Sequence, residues 1–126
     1  MEKISKLQVS AIVKIPEGKL EEFKQRAAEV MKQIGDEGTG ALKYDWFISS
    51  DQTECEVREE YKSSEDVIEH GVKFMETLTK FFNDFPLEHT AFYGDPSPQL
   101  LEVVKKYNPD AKLYSFFQGL EEKIEV

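Results

Sequence analysis

The hydrophobic pattern of the chain switches between a period of two and a period near 3.6, and this switching restricts the fold more than any other feature. Four segments alternate apolar and polar residues as half-buried strands do: residues 7–15, 41–48, 54–61 and 87–93. Two segments carry apolar residues three or four positions apart, as amphipathic helices do: residues 19–34 and 63–83. The predicted element order is therefore β-α-β-β-α-β.

Turn residues separate these segments. Pro16-Glu17-Gly18 ends the first strand, and the glycines at 35, 38 and 40 follow the first helix. Ser49–Gln52 is typical of a hairpin turn, Ser63–Asp66 fits a helix capping box, and Phe85-Pro86 ends the second helix. Because both helices can cover one side of a four-stranded antiparallel sheet, the sequence predicts an α+β, ferredoxin-like fold.

The residues after the fourth strand extend this plan. We interpret residues 1–126 as a single domain with a core at 7–93 and a C-terminal extension at 96–126. The extension is predicted to hold a short helix at 99–107, a short strand at 112–117 and a closing acidic tail. Because a terminal apolar strand is not stable alone, this strand must join a sheet edge.

The second face of the predicted sheet is not fully polar. Opposite the helices, we expect Ile12, Ala41, Phe47 and Phe92 among charged residues. Soluble monomers rarely expose an apolar patch of this kind, so we expect a homodimer that packs sheet face against sheet face. In the alternative, the C-terminal segment folds back over this face within one chain.

Charge and composition exclude several classes of function. The chain has 25 acidic and 16 basic side chains, a net charge of −9, which disfavours nucleic acid as a partner. It has no apolar run long enough for a membrane span, and the polar face of its second helix is not basic. With one cysteine, Cys55, and no apolar N-terminal run after Met1, we expect a cytoplasmic protein. The two histidines and Cys55 match no metal-ligand spacing, so no metal site is predicted.

Two side chains are the candidate catalytic residues. His70 falls at the edge of the apolar stripe of the second helix, and its ordinary pKa suits a base or a proton relay. Glu59 shares the apolar face of its strand, so its carboxylate needs a partner or a raised pKa. We predict that the two side chains pair. The alternatives are a structural histidine bonded to a carboxylate, and a Glu59 that pairs with a lysine at the sheet edge.

Aromatic side chains near these two residues are the candidate ligand contacts. Tyr44, Trp46 and Tyr61 are predicted on the sheet face of Glu59, and Phe74 follows His70 in the helical stripe. Aromatic walls with phenol donors suit a flat, conjugated ligand, and ordinary core packing is the alternative.

The segment Glu59-Glu60-Tyr61-Lys62-Ser63-Ser64-Glu65-Asp66-Val67-Ile68-Glu69-His70 resembles the antibiotic biosynthesis monooxygenase family of the dimeric α+β barrel superfamily. In that family a Glu-x-Tyr ends a strand and a histidine follows in the next helix at this spacing. Pro16-Glu17-Gly18 with Leu20-Glu21-Glu22-Phe23 is similar to the family's first strand-to-helix junction. A second histidine, common in the family five positions after the first, is replaced by Met75.

The resemblance implies a ferredoxin-like homodimer with a small pocket between sheet and helices in each subunit. Characterised relatives oxidise aromatic polyketides or quinols with molecular oxygen and without metal or flavin, and others degrade haem or act on small signalling molecules. We therefore predict a cofactor-independent monooxygenase for a small aromatic or quinol-type molecule, in which His70, oriented by Glu59, removes a phenolic proton. The alternative is a non-catalytic ligand-binding or dimerisation module.

Overall fold

The computed structural model describes residues 7–120, so the start of the chain at 1–6 and the predicted acidic tail at 121–126 lie outside the described residues. The strands are β1 (Leu7–Lys14), β2 (Ala41–Ile48), β3 (Glu54–Tyr61), β4 (Leu87–Tyr93) and β5 (Lys112–Tyr114). The helices are α1 (Leu20–Glu37), α2 (Ser64–Lys73), α3 (Met75–Asp84) and α4 (Pro98–Tyr107). Across residues 7–120 the helices are too short or too polar to cross a membrane.

The strands form one sheet in the order β2-β3-β1-β4-β5. Neighbouring strands are antiparallel except β4 and β5, which run parallel. All the helices bury apolar residues against the same sheet face, because the odd-numbered residues of β1 join both core clusters. The predicted α+β, ferredoxin-like fold is confirmed, with an additional edge strand.

The largest part of the core lies between the sheet and helices α1 and α3. Phe23 from α1 meets Phe85 at 5.2 Å and Phe81 at 5.6 Å between ring centroids, and all three side chains are buried. Such tilted and edge-on ring pairs add to the stabilisation from apolar burial. A second cluster, with Leu7, Tyr61 and other buried side chains, lies under α4.

The second predicted helix is interrupted. The backbone of Phe74, with φ −108° and ψ 16°, separates α2 from α3, whereas one helix over 63–83 was predicted. Phe74 is fully buried at this break, after which α3 packs on the core cluster of Phe23, while Val67 and Ile68 of α2 pack on the cluster under α4. The predicted cap is present at the start of α2, where Ser63 Oγ accepts a hydrogen bond from the backbone N–H of Asp66 at 3.2 Å.

Two register shifts change which apolar residues face the helices. In β4 the pairing to β1 skips Glu88, so both Leu87 and Phe92 point toward the helices. A similar shift after Ala41 places that residue against the helix-side core. The prediction that Phe92 and Ala41 lie on the open face was therefore wrong, because a bulge reverses the two-residue alternation.

The C-terminal extension lies on the helix side of the sheet. Helix α4 buries Leu100 and Val104 against Leu7, Val9 and Phe92, so this segment does not fold back over the open face as the alternative required. Strand β5 joins the edge of its own sheet but is shorter than the predicted 112–117, and residues 115–120 have no regular structure. On the open face of the sheet, Phe47 is 54% exposed, whereas Ser10 and Ala91 are buried.

Candidate functional site

A cavity of about 680 Å³ lies between the sheet and helices α2, α3 and α4. Its volume falls in the range of small-molecule sites, roughly 300–1,000 Å³. Apolar side chains line most of it, including Val9, Val67, Leu78, Phe82, Phe92 and Val103. A predominantly apolar ligand therefore suits this space.

Polar side chains from β2, β3 and α2 line the same cavity. The two-residue period of β3 places Glu59 and Tyr61 on its helix-facing side, and Tyr44 is the β2 partner of Glu59. His70 reaches the cavity from α2. The structure thus brings four of the predicted site residues around one space.

Glu59 is bound by a neighbouring tyrosine. The hydroxyl of Tyr61 donates a hydrogen bond to Glu59 Oε1 at 2.5 Å. Burial raises the pKa of Glu59 to about 7, although the bond from Tyr61 opposes this shift. The carboxyl group is therefore suited to accept and return a proton near neutral pH.

The two tyrosines of the cavity keep their protons. Burial, followed by the adjacent charge of Glu59, raises the pKa of both Tyr44 and Tyr61 well above the ordinary value. Their hydroxyl groups are consequently hydrogen-bond donors at neutral pH. The ring of Tyr44 lies edge-on to the ring of His70, with 5.0 Å between centroids.

His70 is buried and neutral. Its Nδ1 lies 2.8 Å from Thr39 Oγ1, which already accepts the backbone N–H of Ala41 at 3.1 Å. The hydrogen of the Thr39 hydroxyl is thus available to Nδ1, which favours the tautomer with a proton on Nε2. Burial lowers the pKa of His70 to about 4, and Nε2 has no hydrogen-bond partner among the described residues.

The predicted Glu59–His70 pair is not formed. Glu59 binds Tyr61, which follows two residues later on the same face of β3, while His70 binds Thr39 in the connection between α1 and β2. The alternative, in which Glu59 pairs with a lysine at the sheet edge, is not what the structure shows either, because the hydrogen-bond partner of Glu59 is Tyr61. No pattern in the sequence points to Thr39, because this contact arises only when α2 packs beside that connection.

Two predicted ligand contacts do not line the cavity. Trp46 packs among core aromatics, 6.2 Å from Phe23 and 5.6 Å from Phe81 between centroids. Phe74 is fully buried beside the His70 ring at 5.1 Å. Both positions correspond to the alternative of ordinary core packing, because Trp46 falls under α1 and α3 rather than under α4.

Cys55 and metal ligation do not add to this site. Cys55 is buried, and burial raises its pKa to about 11, so it remains a thiol. Within residues 7–120, no group of three or more histidine, cysteine or acidic side chains is placed to hold a metal ion.

Comparison with known proteins supports the fold assignment. No protein-family model and no curated protein sequence match this chain. Among solved structures, MupZ from Pseudomonas fluorescens is similar with a TM-score of 0.75 and 18% identity, over 93% of this chain and 94% of that one. A "Putative antibiotic biosynthesis monooxygenase" from Nitrosomonas europaea is similar with a TM-score of 0.60 and 22% identity, over 78% of this chain and 97% of that one. A protein of the same description from Caulobacter crescentus CB15 has a TM-score of 0.58 and 19% identity, over 70% and 85% of the two chains. The chain therefore shares the fold of these solved structures.

Proposed function

We propose that the protein is an enzyme that binds a small phenolic or quinol-type molecule in the cavity and oxidises it with molecular oxygen, with Glu59 as the proton acceptor. The observation that carries this proposal is a carboxyl group with a pKa of about 7 at the edge of a largely apolar cavity. The names of two structural neighbours support monooxygenation as the reaction class.

The proposed reaction begins with transfer of the phenolic proton to the Glu59 carboxylate. The electron-rich phenolate then reacts with oxygen at a ring carbon, and a carbon–oxygen bond forms to give a hydroperoxide. Loss of water, with the proton returned from Glu59, leaves a quinone. One oxygen atom enters the product, and the other leaves as water with two hydrogen atoms of the substrate.

His70 has a different role from the one predicted for it. Because its pKa lies near 4, the neutral imidazole is a weak proton acceptor at pH 7. We assign the base to Glu59 and leave His70 as part of the cavity wall, held by Thr39. In this proposal Tyr44 donates a hydrogen bond to an oxygen atom of the substrate, whereas the hydroxyl proton of Tyr61 is already donated to Glu59.

Isotope labelling tests this function. We expect incubation with anthrone or 1-naphthol under ¹⁸O₂ to give a quinone that carries one labelled oxygen atom, with one molecule of oxygen consumed for each product. Mass spectrometry and an oxygen electrode provide the measurement, and an anaerobic sample provides the control. Saturable binding of these compounds without oxygen uptake would instead support the alternative of a non-catalytic binding module.

We further propose that the open sheet face pairs with a second copy of the chain. Phe47 is 54% exposed on this face, and Ile12 and Tyr93 also lie there. Phe47→Asp is expected to convert a dimer into a monomer in sedimentation velocity, because burial of an unpaired carboxylate is costly. Val72→Asp, at a residue 65% exposed on α2, is the matched control and should leave the dimer intact. A monomeric wild-type protein would contradict the proposal.

The cytoplasmic location stays a prediction.

A further inference from the structure

The hydrogen-bonding groups proposed to meet the ligand come from β2, β3 and α2, and they belong to Tyr44, Glu59, Tyr61 and His70. A second, largely apolar region of the wall consists mainly of aliphatic and aromatic side chains of α3, α4 and β4, with Glu102 and Lys106 of α4 as its charged members. A single phenol ring held at Glu59 would leave this second region unoccupied.

Helix α4 supplies one wall of the apolar region. Val103, Val104 and Tyr107 line the cavity from this helix, which belongs to the extension beyond the ferredoxin-like core. Leu100 and Val104 fix the helix to the sheet, because both are buried in the cluster under it. The extension therefore determines how far the cavity reaches from Glu59.

Gly71 leaves space on the wall formed by α2. It lies on α2 one turn after Val67, which packs against the cluster under α4. Gly71 lines the cavity, and a Cβ atom built at this position meets no other atom within 4 Å. Gly71 is exposed to solvent as well as lining the cavity, so a larger side chain has room here and can narrow the cavity from its solvent side.

The lining of the cavity indicates the shape of the ligand that fits it. We propose that the cavity binds an amphipathic phenol, with its hydroxyl group at Glu59 and an unbranched apolar tail that passes Gly71 toward Val103 and Tyr107 of α4. This inference rests on the proposed function for the position of the phenol. The tail length accepted by the protein is set by the side chains of α2 and α4.

A homologous series of ligands tests this inference. The probes are 4-alkylphenols from 4-ethylphenol to 4-nonylphenol, titrated anaerobically by calorimetry so that binding is measured without turnover. We expect the Kd to fall about fourfold for each added methylene group until the tail fills the cavity, and then to level off. A Kd that does not depend on tail length would overturn the inference.

Gly71→Leu is the matched test of the tail path. The added side chain is expected to weaken binding of the longest bound phenol by about 16-fold, the effect of losing about two methylene contacts at fourfold each, and to leave 4-ethylphenol within about twofold. Gly35→Leu is the control, because Gly35 lies on α1 outside the cavity lining and also has open space around its Cβ position. Both changes improve helix propensity.

Val103→Trp probes the wall formed by α4 and keeps the test decisive if Gly71→Leu folds poorly. In this variant, as in Gly71→Leu, the Kd should stop falling at a shorter tail length than in the wild type. An equal shift in Gly35→Leu, or unchanged profiles in both cavity variants, would overturn the inference. Tail-dependent binding without oxygen uptake in the labelling experiment would overturn the oxidative function and leave the ligand shape standing.

Discussion

Glu59→Gln is expected to lower turnover of a phenolic substrate by about 10²–10⁴-fold, the range typical for loss of a general base. Glutamine keeps the size of the side chain and can still accept a hydrogen bond from Tyr61, but it cannot take the substrate proton. KM should therefore change little compared with kcat. Steady-state oxygen uptake provides both constants.

The pH profile separates a lost base from a merely disturbed site. With the Glu59 pKa near 7, the wild-type rate should rise as the pH increases through about 7 and then level off, because the ionised form is the base. Any residual rate of the Glu59→Gln variant should not rise with pH through this range. Glu54→Gln is the control, since Glu54 lies on the same strand and faces the open side of the sheet. Equal losses in both variants would contradict the assignment.

Glu59 and His70 are expected to give opposite pH dependences of stability, each worth about 3 kcal/mol. The pKa of Glu59 is raised from 4.5 to about 7, so its contribution to the free energy of unfolding falls as the pH rises through this range. The pKa of His70 is lowered from 6.5 to about 4, so its contribution falls as the pH decreases through that range. Between about pH 4.5 and 6.5 the two groups change the free energy of unfolding in opposite directions as the pH changes.

Single variants expose each slope. Glu59→Gln removes the Glu59 contribution, so the free energy of unfolding of this variant should fall more steeply than that of the wild type as the pH decreases. His70→Gln removes the His70 contribution, so its free energy of unfolding should fall more steeply as the pH rises toward neutral. Urea unfolding between about pH 4 and pH 7 provides the free energies, compared as differences from the wild type at each pH. The same pH dependence in both variants would show that these two groups are not the ones that titrate.

The element order followed from periodicity, because every core strand and helix keeps its period over several residues. The errors arose where one residue interrupts that period. The bulge at Glu88 places Phe92 on the helix-facing side of the sheet. Neither this bulge nor the one after Ala41 can be recognised from the residue types around it. Phenylalanine is not a helix-breaking residue type, so the sequence carries no signal for the break at Phe74.

The sequence predicted which residues line the site better than it predicted their hydrogen-bond partners. Parity alone places Glu59 and Tyr61 on the inner face of β3, and the helical stripe brings His70 to the same space. The actual partners depend on which loop and which helix pack alongside, as Thr39 shows. The wall formed by α4 was not predicted either, because the amphipathic pattern of Leu100 and Val104 does not reveal which side of the sheet the helix covers.

The parallel pairing of β5 with β4 has a mechanical consequence. Parallel neighbours need a crossover connection, and here that connection contains α4, which is tied to the sheet through β4 before it and through β5 after it. The second attachment is only three residues long, reinforced by the hydrogen bond from Gly94 N–H to the carbonyl oxygen of Tyr114 at 2.8 Å. Because detaching this short strand would free one end of α4, we expect fraying at the sheet edge to widen the way into the cavity.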